Sequence, residues 1–208
     1  MIMLDIETLG LTPGSFIPTI GWCVFDWDRI IDRGTIAVDI ETMPGKVDVS
    51  TVKFWLQQEP EAIAKTFFRD EPRPVHWMSA LNALADLIKL PEAKADQGVW
   101  GNGVLFDLGH LEFWYAQAQQ KVPWHYRSPR DMRTFCDTVA RMTSWNSDDA
   151  REREQLKHAA TLTRHDAEDD AVLQALMLIS ANASLQRLRD DSDAAKVPSY
   201  PRDAIDAG

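Results

Sequence analysis

Cysteine is scarce. The 208 residues hold two, Cys23 and Cys136, too few for a disulfide scaffold and no thiolate metal cluster, which fits a reducing compartment. Positive charge is short as well. Lys and Arg number 22 against 32 Asp and Glu, for a formal charge of −10. That excludes a protein that coats nucleic acid by blanket electrostatics, so any contact with a polyanion must be local or assisted by cations. Long apolar runs are missing. The best candidate for a bilayer span, Ala171 to Ala181, is too short and is interrupted by Gln174. Met1-Ile2-Met3-Leu4-Asp5 has no basic segment ahead of an apolar run and does not read as a secretory signal. No internal repeat or low-complexity tract stands out. The expectation is a protein without a membrane partner. Its 45% apolar and 26% charged residues make an ordinary globular composition, of a size for one domain and a tail.

Residues 1–7 alternate, with Ile2, Leu4 and Ile6 on one side of a strand and Met3, Asp5 and Glu7 on the other. Leu9 to Gly14 reads as a loop. Strands are predicted over 19–26 and 31–40, with Asp28 and Arg29 at the turn, so that the three make a meander. Ser50 is predicted to cap a helix carrying Val52, Phe54, Trp55 and Leu56, and Pro60 to open another through Phe68. Trp77, Leu81, Leu84, Leu87 and Ile88 have helical spacing, which Pro91 ends. A short strand at 98–101 precedes a helix near Phe106, with Leu108, Leu111, Tyr115 and Ala118 on one stripe. A further helix is expected over 131–142, a polar loop over 143–153, and a long helix over 166–189. These elements predict an α/β domain over 1–189 and an acidic, proline-containing tail over 190–208.

Three clusters of acids stand out. Asp5 and Glu7 share one strand face, where two carboxylates repel and raise each other's pKa unless a cation lies between them. Solvated acids at a strand end are the plainer reading of the pair alone. Asp107 follows the small-residue loop Asn102-Gly103-Val104-Leu105-Phe106, at a predicted helix start where the helix dipole also favours an acid. The third cluster, His165-Asp166-Ala167-Glu168-Asp169-Asp170, opens the long helix. Val172, Leu173, Ala175, Leu176, Leu178 and Ile179 bury that helix, so some of its acids must face inward. Periodicity leaves Asp166, Asp169 and Asp170 open.

In this order the clusters resemble the three motifs of the DEDD superfamily of 3'-5' exonucleases: Asp5-Ile6-Glu7-Thr8, then Asn102 to Phe106-Asp107, then His165 followed after four residues by Asp170. The last spacing is that of the histidine subclass, DEDDh. It selects Asp170, with Asp169 as the weaker alternative because His165-x₃-Asp169 mimics the tyrosine-subclass pattern. Asp5 to Gly10, Phe54-Trp55-Leu56-Gln57 and Arg130-Asp131-Met132-Arg133-Thr134 are similar to one branch, which includes the exonuclease A of T-even phages and a mycobacterial exoribonuclease. The resemblance implies an RNase H-like fold, a mixed five-stranded sheet flanked by helices. It further implies that Asp5, Glu7, Asp107 and Asp170 hold two divalent cations, Mg²⁺ or Mn²⁺, and that His165 is the general base.

The activity so implied is 3'-5' hydrolysis of single-stranded DNA or RNA from a free 3' end, releasing nucleoside 5'-monophosphates. The sugar is left open, with a lean to DNA or mixed use. Hard cations want oxygen ligands, and an imidazole titrates near neutral pH, so the residue types suit those roles. By the resemblance Thr8 and Leu9 are expected at the terminal sugar and base; Asn102 and Phe106 of the second motif are expected to bind substrate as well, and Arg130 and Arg133 to be phosphate or structural contacts. The resemblance also suggests a homodimer, and the scarce cysteine points to a cytoplasmic location, or a host's cytoplasm for a phage-encoded chain. The alternatives are an RNase H-like endonuclease, a non-catalytic nucleic-acid-binding module and a dinucleotide phosphodiesterase.

Overall fold

The computed structural model describes residues 1–95, 97–158 and 161–195, with the backbone alone for 193–195. Six strands form one sheet: β1 (Ile2–Glu7), β2 (Thr19–Phe25), β3 (Ile30–Asp39), β4 (Val75–His76), β5 (Val99–Gly101) and β6 (Pro129–Asp131). Their order is β4-β3-β2-β1-β5-β6. The predicted meander is present, since β1 pairs antiparallel with β2 and β2 with β3. β5 and β6 then add parallel on the other side of β1.

Seven helices are described: α1 (Val49–Trp55), α2 (Pro60–Phe67), α3 (Trp77–Lys89), α4 (Val104–Gln117), α5 (Met132–Met142), α6 (Ser147–Lys157) and α7 (Ala167–Ala195). The alternation of β1 divides the interior in two. Ile2, Leu4 and Ile6 pack with Leu84 of α3 and with Leu111 and Trp114 of α4. Met3 joins Cys23, Phe25, Val139 of α5, and Ala171, Ala175 and Leu178 of α7. Asp5 and Glu7 are in phase with Met3, so they share the sheet face that α7 covers. Gly21 makes that cover close. It pairs with Asp5 across the β1–β2 ladder, and a Cβ there would lie 2.0 Å from the Ala167 carbonyl group. Only a residue without a side chain lets the first turn of α7 rest so near the strands.

The structure departs from the expectations in four places. The sheet has six strands rather than five, because exposed Val75 and His76 pair parallel with the end of β3; two residues are too short for alternation to show. Asp48, not Ser50, is the N-cap of α1. Its carbonyl accepts from Thr51 and Val52, while its carboxylate accepts from the Leu11 N–H at 3.0 Å. The predicted polar loop over 143–153 contains most of α6, which Asn146 caps by accepting from Asp148 and Asp149 N–H. Of α6 only Ala150 and Glu154 are buried, so it carries no apolar stripe to read. Finally, α7 continues to Ala195, past the expected start of the tail at Asp190; residues 196–208 of that tail lie outside the described residues. No helix among them is long and apolar enough to cross a membrane.

Candidate active site

β1 carries two acids to the end of the strand, α4 places Asp107 in its first turn, and α7 brings Asp170 in its own first turn. Ligand atoms of Glu7, His165 and Asp170 lie within 4.8 Å of one another. Asp5 and Asp107 border this trio closely enough to feel its charge. Burial, then the charges of Asp107, Glu7 and Asp170, hold the Asp5 carboxyl well above the usual carboxylate range. Burial does the same to Glu7, with Asp170, Asp166 and Asp107 adding to it. Burial pushes Asp107 up to about 7, against a hydrogen bond from the Ile6 N–H and the positive charge of Arg133. It pushes Asp170 up to about 6, against a hydrogen bond from the His165 N–H.

Carboxyls brought together in this way carry more negative charge than Arg133 and Arg164 offset. The donors are oxygens with one imidazole and no thiolate, which suits Mg²⁺ or Mn²⁺. The four acids therefore fit divalent cations. A pH dependence follows. Acids whose folded-state pKa is raised keep protons that the unfolded chain has already released, so stability falls as pH rises through that interval. For Asp107 the interval runs from 3.8 to about 7, equivalent to about 4 kcal/mol. Protein in EDTA is expected to show a lower Tm at pH 7 than at pH 5, and saturating Mg²⁺ should flatten the slope. A Tm that stays level over that range in EDTA would speak against uncompensated acids.

His165 has φ +60°, a left-handed conformation that few non-glycine residues adopt. Its N–H donates to Asp170 Oδ2 at 3.1 Å, and its carbonyl accepts from Thr66 Oγ1 at 3.3 Å. The ring meets Phe54 edge-on at 5.1 Å and Trp55 at 6.5 Å between centroids. Burial, then the nearby Arg164, lowers its pKa, so the imidazole is neutral at pH 7 and able to accept a proton.

The neighbouring acids are otherwise engaged. The Asp169 carboxylate takes Lys65 Nζ at 2.9 Å, the Thr163 N–H at 2.9 Å and Arg33 at 3.6 Å. Asp166 pairs with Arg69 and accepts from the Asp169 N–H at 3.1 Å, capping α7. Both hold the first turn of α7 in place, and Asp170 is left facing Glu7.

The expected substrate contacts divide. Thr8, with Glu7, Leu11, Ser50, Phe54 and Phe106, lines a cavity of about 310 Å³ beside the acids. The Thr8 carbonyl accepts from Trp55 Nε1 at 3.0 Å, tying the first motif to α1. Leu9 instead lines a separate cavity of about 620 Å³ with Val52, Ile63 and Phe67. Asn102 and Arg133 lie on the other side of Phe106, in a cavity of about 680 Å³, where Arg133 Nε donates to Asn102 Oδ1 at 3.1 Å. Arg130 donates to the carbonyls of Arg127 and Pro129 and so serves its own loop. Leu11, Ser50 and Gln174 were missed as site residues. Leu11 and Ser50 carry no chemical signal in the sequence, whereas Gln174 showed itself as the one polar interruption of an apolar run.

A family model described as the Rv2179c-like 3'-5' exoribonuclease domain matches residues 1–181. Comparison with curated proteins gives no match. A solved structure, described as the nuclease domain of 3'hExo, a DEDDh family member, bound to rAMP, is similar with a TM-score of 0.56 at 14% identity. The likeness covers 89% of this chain and 91% of that one, and at such identity it bears on the fold. The fold is thus like that of a DEDDh nuclease domain, and the chain belongs to the Rv2179c-like 3'-5' exoribonuclease domain family.

Proposed function

We propose that Asp5, Glu7, Asp107 and Asp170 hold two divalent cations, and that His165 is the general base for releasing nucleoside 5'-monophosphates one at a time from the 3' end of a single strand. The observation that carries this reading is the convergence of Glu7, His165 and Asp170 within 4.8 Å, with two further buried acids alongside. When bound, the cations supply the activation of water and the shelter for a departing oxygen that phosphodiester hydrolysis requires.

The protein supplies the rest. A neutral ring nitrogen of His165 takes the proton of the attacking water. Phe54 and Trp55 hold the ring against rotation by edge contacts, and the hydrogen bond to Asp170 fixes its backbone. The cavity beside Glu7 takes the terminal nucleotide, with Phe54 and Phe106 offering aromatic faces and Leu11 an apolar wall, contacts that suit any base. The residues lining that cavity include no Lys or Arg, so the acids need bound cations before they can tolerate a phosphate. Arg133 lies beyond Phe106, where it meets the phosphate of an upstream nucleotide. Membership of an exoribonuclease domain family favours RNA as the substrate, rather than the DNA or mixed use expected from the sequence.

The test is digestion of matched 5'-labelled RNA and DNA single strands with Mg²⁺, Mn²⁺ or EDTA, each with a free or a blocked 3' end. A ladder shortening from the free 3' end of RNA, lost in EDTA and on blocking, is expected. Cleavage of blocked strands would replace this reading with an endonuclease.

A further inference from the structure

Gln174 is buried two turns into α7, in a run that is otherwise apolar from Ala171 to Leu178. It lies four residues after Asp170 and so on the same face of the helix. Its Nε2 donates to Asp5 Oδ1 at 2.7 Å, a bond that joins α7 to β1 across 169 residues of sequence. Its Oε1 is buried without a hydrogen-bond partner among the described residues. Against an ionised Asp5, as a cation ligand is, turning the amide over would set two oxygens face to face, so that state fixes Nε2 toward Asp5. Burying a polar amide with one end unmet is unfavourable, and a leucine would fit the composition of the run. A polar group held there against that cost acts on Asp5.

We propose that Gln174 is a positioning residue for the cation site: by occupying Oδ1 of Asp5 it leaves the other carboxylate oxygen turned toward the cations. This rests on the reading of Asp5 as a cation ligand. Gln174 and Asp170 share one helical face, so a single rigid segment sets two of the four acids, one directly and one through a hydrogen bond. Groups that orient metal ligands in this way are typically worth roughly 10–100-fold in metal affinity or activity.

The experiment compares full-length wild type with Gln174→Leu and Gln174→Met, the second an unbranched side chain of similar length should the first fail to fold. Mn²⁺ binding is followed by calorimetry without substrate, Tm is measured in EDTA, and kcat and KM are measured on a short oligonucleotide. We expect Mn²⁺ affinity to fall about 10-fold or more, kcat to fall with KM little changed, and Tm in EDTA to hold or rise. A merely structural glutamine gives the opposite pattern, a lower Tm with unchanged Mn²⁺ affinity, and that result overturns the inference. Wild type that binds no Mn²⁺ would remove the four-acid reading itself, a failure distinct from equal binding by wild type and variant.

Discussion

Replacing His165 with Ala is expected to lower turnover by roughly 10²–10⁴ with little change in KM. The ring is the proposed acceptor of the water's proton, and among the described residues no other imidazole joins the cluster of Glu7 and Asp170. Alanine has a second effect that must be separated from this one. At φ +60° a residue with a Cβ is strained, and alanine has no side-chain contact with which to hold the conformation. Asparagine tolerates the left-handed region better and cannot act as a base near neutral pH. His165→Asn should therefore keep the loop, and with it the hydrogen bond from residue 165 to Asp170, while losing turnover to a similar extent. Near-normal kcat in either purified variant would remove His165 from the chemistry. Restoration by asparagine alone would assign the loss in alanine to backbone geometry.

Asp5→Asn is expected to lower activity more than about 10²-fold, since even residues that only orient metal ligands cost up to that. The metal-free protein should move the other way. Asparagine keeps an oxygen to accept from Gln174 and removes an ionisable group whose charge is opposed by burial and by Asp107, Glu7 and Asp170. Tm in EDTA at pH 7 should thus hold or rise, while the stabilisation by added Mg²⁺ or Mn²⁺ shrinks. Wild type should gain about 2.7 kcal/mol at a hundredfold excess of cation over Kd. A variant stabilised by cation as strongly as wild type would show that Asp5 is not a ligand.

The sequence showed the parts whose chemistry repeats with a period. The alternation along β1 placed Asp5 and Glu7 opposite Ile2, Leu4 and Ile6, and that division of faces is the one observed. The long buried run behind His165 required inward acids but could not choose among Asp166, Asp169 and Asp170. What distinguishes them is visible only in space, where Lys65 of α2 and Arg33 of β3 engage Asp169 while Asp170 lies beside Glu7 and His165. The resemblance, not the periodicity, selected Asp170. Features set by partners distant in sequence stayed hidden: the two-residue β4, the capping of α1 by Asp48, and the turning of Leu9 away from the acids with Leu11 beside them instead. α6 was hidden for another reason, since its packing through Ala150 and Glu154 has no apolar rhythm.

The central place of β1, with β2 on one side and β5 on the other, bears on how the protein breathes. Backbone amides of an interior strand exchange their hydrogens only when large parts of a molecule open, whereas loops and helix ends do so in small local excursions. Asp5 and Glu7 ride on a strand paired with β2 along its whole length, while His165 sits on the segment between α6 and α7, held by single hydrogen bonds to Asp170 and Thr66 and by ring contacts. The two carboxylates on β1 should therefore keep their places through local openings that are large enough to shift the imidazole.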